Sequence, residues 1–251
     1  MKKVIEKIKL KYTIIILVLS FSLSSKAQNA LNVSPTGSIF VVGSNSLLYV
    51  KGNTLVDGQV NNTGTVTMTG DLTVNNTWVS TGTENFSGSS NQNINSSISG
   101  INYFGYWIKN NSGKIFLFGN IDADSINFTT DGFIDATTGV TVKIKSGLPT
   151  AIKGHSALRY IDVDDNLGIL SRNISSTSTY VFPIGNSVAG YRRFDMLMTS
   201  LGTTGTSFLN AKLKNNSPGT ISYSRLYTTG FSGTFPGNST PGSNAQHVDF
   251  E

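Results

Sequence analysis

Gly52-Asn53-Thr54-Leu55-Val56-Asp57 and Gly70-Asp71-Leu72-Thr73-Val74-Asn75 are two versions of one hexapeptide. Each opens on glycine and a small polar residue, continues through three strand-forming residues and closes on Asp or Asn. Their starts lie 18 residues apart, the length of one small coil of a β-solenoid. Such a coil buries its inward side chains only by stacking on its neighbours, so the pattern has to recur. A third version, Gly119-Asn120-Ile121-Asp122-Ala123-Asp124, starts 49 residues further on, where the spacing breaks. The echo predicts an all-β chain whose N-terminal region is a parallel β-helix or solenoid.

The surrounding sequence extends this reading. Short apolar or alternating runs at residues 39–42, 47–50, 65–68, 72–74, 115–118 and 140–144 are separated by Gly, Asn and Asp. Alternation predicts strands, and those turn residues allow tight or left-handed backbone at little cost. No long stretch has helical periodicity. From Pro149 the character changes, with strand candidates at residues 160–165, 180–185, 194–199, 207–213 and 221–226. They suggest a compact β-sandwich. The predicted organisation is a leader at 1–27, a β-helix-like repeat region at 28–148 and a small β-sandwich at 149–232. Residues 233–251, rich in Gly, Ser and Pro, are a loose tail or the start of a region cut short.

The leader is read from its three parts. Lys2, Lys3, Lys7, Lys9 and Lys11 form a basic head, residues 12–23 an apolar run, and Ser24-Ser25-Lys26-Ala27 a small-residue exit. This is the grammar of a secretory signal peptide cleaved after Ala27. The run is shorter than the roughly 20 residues a membrane-spanning helix needs. The formal charge of +5 belongs to the leader, which holds six lysines and one glutamate; the rest balances 13 basic against 13 acidic residues. Nucleic acid is therefore not an expected partner, since its recognition needs clustered positive charge. With no cysteine in the chain, stability has to come from packed strands and paired backbone.

Gly70-Asp71-Leu72-Thr73-Val74-Asn75, then Trp78, Phe86-Ser87-Gly88, Gln92-Asn93-Ile94 and Trp107-Ile108-Lys109-Asn110-Asn111-Ser112-Gly113 resemble the repetitive surface and secreted proteins of Bacteroidetes. Phe182-Pro183-Ile184-Gly185 followed by Tyr191-Arg192-Arg193 resembles their second module, and Ala27-Gln28 their processing site. The resemblance covers most of residues 28–226. It implies a parallel β-helix followed by a β-sandwich, exported by outer-membrane secretion machinery and displayed at the cell outer membrane or released. Many such proteins end in a type IX secretion signal. Residues 233–251 show no equivalent, so the chain reads as a short representative or a piece of a longer architecture.

Several residues invite a chemical role. Tyr103, Phe104, Tyr106 and Trp107 crowd five positions; Tyr103, Tyr106 and Trp107 could stack on a carbohydrate or anchor a protein, although core packing is the favoured reading. Arg192 and Arg193 could fork onto a carboxylate or sugar hydroxyls, against a plain surface pairing of Arg193 with Asp195. Asp162, Asp164 and Asn166 alternate as oxygen ligands for calcium would. Leu167 and Asn173 stand where a calcium loop wants Gly and Glu, which favours a polar turn. Asp124-Ser125-Ile126 resembles the Bacteroidetes O-glycosylation signal, making Ser125 a candidate acceptor.

No catalytic residue is predicted. Asp122 with Asp124, and Asp162 with Asp164, read as solvated strand residues rather than as acids flanking a glycosidic bond. His155 and His247 lack zinc-ligand spacing, and no Gly-x-Ser-x-Gly elbow occurs. The expected role is a non-catalytic exported scaffold or adhesion protein contacting extracellular glycan or protein. The alternatives are a carbohydrate-binding module and a secreted polysaccharide-processing enzyme. Intact mass and peptide mapping of the native protein from medium and cell surface should give a chain starting at Gln28, with added mass on the Ser125 peptide if it is glycosylated. A surface species that keeps Met1 to Ala27 would refute the leader.

Overall fold

The computed structural model describes residues 29–96, 102–136, 139–163, 168–186, 190–199, 201, 207–214 and 247–249. The chain winds into a parallel β-solenoid of about seven coils, followed by a mixed sheet that resembles a sandwich. The first coil holds β1 (Leu31–Val33), β2 (Ile39–Val42) and β3 (Leu47–Val50). The second holds β4 (Thr54–Val56), β5 (Gln59–Asn62) and β6 (Thr65–Met68), and the third β7 (Leu72–Val74), β8 (Thr77–Ser80) and β9 (Thr83–Gly88). In the next two coils the second and third strands merge into one bent strand, giving β10 (Gln92–Ser96), β11 (Asn102–Asn111), β12 (Ile115–Leu117) and β13 (Ile121–Phe128). Then follow β14 (Ile134–Asp135), β15 (Thr141–Ile144), β16 (Ile152–Lys153), β17 (Ile161–Asp162) and β18 (Ile169–Ile174). The last strands are β19 (Thr179–Asn186), β20 (Gly190–Leu197), β21 (Ser207–Lys214) and β22 (His247–Asp249).

These strands stack into three walls. The first runs from β1 through β4, β7, β10, β12, β14 and β17 to β19, the second from β2 through β5, β8, β11, β13 and β15 to β18. The third takes β3, β6, β9, the far halves of β11 and β13, and β16. All of these ladders are parallel. Parallel pairing continues past Pro149, with Ile134, Ile161 and Ile184 in one column. It ends where β20 and β21 pair antiparallel with β19 and β18. One continuous apolar core runs through both parts.

Each residue of the hexapeptide has a place at the corner leading into the first wall. Thr54 and Leu72 pair in register, as do Val56 and Val74, all facing inward. Asn53 Oδ1 accepts the N–H of Asp71 at 2.9 Å, and Asp71 Oδ1 accepts that of Asn93 at 2.8 Å. The side chain at the second position thus carries the coil-to-coil ladder round a corner that strand bonds cannot cross. Asn75 Nδ2 closes the motif by donating to Asp57 Oδ1 at 2.8 Å. The Gly119 copy differs. Ile121 pairs with Val142 in the second wall, so that sequence likeness is displaced by one wall. Gln92-Asn93-Ile94-Asn95 takes its place, with Ile94 registered on Leu72.

Glycines form a second column where the second wall turns into the third. A Cβ on Gly82 would lie 2.2 Å from the Gly64 carbonyl oxygen, and one on Gly105 2.3 Å from that of Gly82. Coils cannot approach so closely with any side chain present. Gly82→Ala should therefore lower the unfolding free energy by about 1–3 kcal/mol. Gly43→Ala, whose Cβ would meet only the Ser46 hydroxyl at 3.7 Å, should stay within about 0.5 kcal/mol. Urea unfolding of both variants measures the difference.

Candidate functional site

The tyrosines and tryptophan of the aromatic run separate. Phe104 and Trp107 point inward with no exposed surface, edge-on to one another at 5.6 Å, and join Phe86 and Trp78 in an aromatic layer across the core. Trp107 is thus a packing residue, removed from any exposed ligand patch. Tyr103 and Tyr106 face outward and are half-buried. Tyr103 donates its hydroxyl to Asp124 Oδ1 and lies beneath Lys145, whose Nζ is 4.6 Å from the ring centre. Burial, then the Asp124 bond and charge, hold the Tyr103 hydroxyl well above the usual tyrosine range. Lys145 also approaches Asp122 at 4.0 Å. Burial raises the Asp122 carboxyl, with Lys143 and Lys145 opposing. Tyr106 sits on the third wall with Thr83 and Ser125 as register neighbours, so Ser125 is part of that outer face and half-buried.

Arg193 forks onto Asp195, with Nε to Oδ1 at 2.7 Å and Nη2 to Oδ2 at 2.6 Å, on the exposed face of β20. Arg192 is exposed and donates Nη1 to the Tyr191 carbonyl at 3.2 Å. Asp162 is fully buried and in register between Asp135 and Gly185. Asp164 and Asn166 lie outside the described residues. Among the described residues, no group of three or more His, Cys, Asp or Glu is placed to hold a metal ion, and no helix is long and apolar enough to cross a membrane. His155 Nδ1 lies 2.9 Å from the Tyr191 hydroxyl, beside Tyr160 stacked on Phe133 at 5.1 Å. Burial, then Arg193, lower the His155 pKa against the pull of Asp195. This external aromatic column ties the loop before β17 to the closing strand β20.

Charged groups inside the solenoid went unmarked in the sequence. Asn62 Oδ1 accepts the N–H of Gly64 at 2.9 Å, and Ser80 Oγ that of Gly82 at 3.0 Å. In the following coil Phe104 precedes the equivalent glycine and has no oxygen to offer. Glu84 supplies it from the coil before, its Oε2 accepting the N–H of Gly105 at 3.0 Å. Its Oε1 accepts from Asn62 Nδ2 at 2.7 Å and Trp78 Nε1 at 3.2 Å. The Asn-x-Gly, Ser-x-Gly and Phe-Gly series was the available signal. Lys109, with no exposed surface, donates to the carbonyls of Asn111 and Asp131; burial pulls its pKa down to about 8, with Asp131 opposing.

Arg172 is the third such group. It donates to the carbonyls of Val181, Leu148 and Pro149 and lies between Tyr180 and Phe182, where burial lowers its pKa to about 10. Tyr180, buried beside it, accepts from the N–H groups of Ser175 and Ser176 and donates to Gly147. Together they fill the end of the solenoid where β18 has no third-wall strand after it. No family model, curated protein or solved structure matches the chain.

Burial raises the Glu84 carboxyl above its ordinary 4.5, while bonds from Ser80, Asn62, Trp78 and Gly105 offset part of that rise. The folded chain therefore holds this proton more tightly than the unfolded chain. Its contribution to stability is greatest at low pH and falls as pH rises from the ordinary value through the raised one. Glu84→Gln turns an N–H toward the Gly105 N–H and leaves a buried donor unpaired, at a cost of about 1–3 kcal/mol. Thermal melts should show that loss near pH 4.5 and a narrowing gap between variant and wild type as pH rises.

Proposed function

We propose that this chain is a non-catalytic, adhesion-related scaffold of the Bacteroidetes cell surface, or a secreted one, that contacts an extracellular glycan or protein. The observation that carries this reading is how the outer acids are engaged. Asp122 faces Lys145, Asp124 takes the Tyr103 hydroxyl, Asp131 pairs with Arg159 at 2.8 Å and Asp195 with Arg193. Glycoside hydrolysis needs two carboxyls facing each other across a substrate, whereas these are spread along the outer walls and tied to their neighbours. Stacked coils with a continuous core make a rigid body, and repeated outer faces allow many weak contacts to add. Delivery through outer-membrane secretion machinery follows from the leader and from the resemblance of the repeats.

A carbohydrate-binding module is the second reading, favoured by Tyr106 on a regular outer face between Thr83 and Ser125. Protease shaving of intact cells should release peptides of this chain, and purified protein should bind a glycan or matrix array without turning it over. Tyr106→Ala should weaken glycan binding by about 1–3 kcal/mol if the ring stacks on sugar, within the range of other aromatic anchors, and leave protein binding unchanged. Polysaccharide cleavage that disappears in Asp122→Asn or Asp124→Asn would replace the scaffold with an enzyme.

A further inference from the structure

The two ends of the solenoid are finished differently. At the C-terminal end the first and second walls are closed by β20 and β21, the third ends at β16 beside the Arg172 and Tyr180 side chains, and β20 displays Arg192, Arg193 and Asp195. Charged side chains on an edge strand discourage further pairing. At the N-terminal end β1, β2 and β3 each pair on one side only among the described residues, with β4, β5 and β6. From Gln28 to Val50 the chain has no charged residue. Ile39, Val41, Leu47 and Tyr49 are 61, 63, 72 and 59% exposed, whereas most apolar side chains of the later coils are buried. The inward residues Leu31, Phe40 and Leu48 are only partly covered, so the end of the core is open as well. A repeat array needs a terminal cap to stay soluble.

We propose that a second copy of this chain is that cap, the two joining end to end through β1, β2 and β3. The proposal rests on the export reading: once the leader is cleaved, only Gln28, Asn29 and Ala30 precede Leu31, too few to cover three walls. Seen from the N-terminal end, strands circulate in one sense, and a facing copy circulates in the other. The opposed edges therefore run antiparallel and can pair on all three walls at once. A single foreign strand would serve one wall and leave two open. An uncharged rim meets its own image without like-charge repulsion. Because β20 and β21 close two of the three walls at the other end, that end cannot repeat the three-wall contact, so the contact is isologous and stops at two chains rather than growing into a fibre.

Sedimentation of exported protein, with intact mass measured on the same sample, tests this. The chain starting at Gln28 should run at twice its monomer mass at micromolar concentration. Peptides spanning residues 31–50 should gain hydrogen-exchange protection with concentration, and β20 should not. Ile39→Lys with Leu47→Lys, at exposed outward positions that leave the core intact, should weaken association at least about ten-fold by setting like charges together. Arg193→Ala, at the far end, should leave it unchanged. A wild type that stays monomeric, an equally tight double variant, or protection gained at β20 instead would overturn the proposal. A chain that keeps Met1 to Ala27 yet pairs through β1–β3 would refute only the export reading; one that keeps them and is monomeric would refute both.

Discussion

The backbone bonds between successive coils are the constraint on which the rest depends. A strand of three or four residues has too little apolar surface and too few hydrogen bonds to be stable alone. Here each such strand past the first coil lies against the coils beside it, and they supply both its partners and its share of the core. Val60 stacks under Trp78 in one column, and Ile134, Ile161 and Ile184 in another, because register fixes which side chains share a column. The cost falls at the corners, where N–H groups turn out of the ladder and need another acceptor.

A recurring set of polar residues among the described ones answers that need. Asn53, Asp71, Asn91 and Asn120 accept corner N–H groups from the following coil. Asn62 and Ser80 do so within their own turn, and Glu84 does so where Phe104 leaves a gap. Lys109 and Gln92 donate to corner carbonyls from inside the core. A low count of charged residues with abundant Asn, Ser and Thr is thus the composition of a molecule with many corners. The few buried charges mark coils whose shape departs from their neighbours.

The same constraint shapes the outside. Outward positions repeat once per coil, so any surface chemistry is laid out in columns, as in the line of Thr83, Tyr106 and Ser125. Asp122, Asp124 and Asp131 meet a cation or a hydroxyl from an adjacent coil. Closure by β20 and β21 gives the array one finished end and leaves its first coil as the place where pairing can continue.

The 18-residue echo and the alternation of short strands were enough to determine an all-β chain with a parallel solenoid and a differently paired C-terminal part, because inward burial and coil length leave a periodic trace. Strands such as Ile39–Val42, Leu47–Val50 and Thr65–Met68 were legible for the same reason. The tertiary structure decided which face each residue occupies. Tyr103 and Trp107 are four apart and would share a face of a straight strand, yet one points out and the other in, because the corner at Gly105 between them resets the alternation. It also placed the Gly119 motif on the second wall instead of the first, since local sequence encodes a corner but not which corner. Nothing in the local sequence marks Glu84 or Arg172 as buried, yet both have no exposed surface once the coils around them close. Their partners lie in Gly105 and Asn62, or in Leu148 and Val181, groups brought to them only by the stacking of one coil on the next.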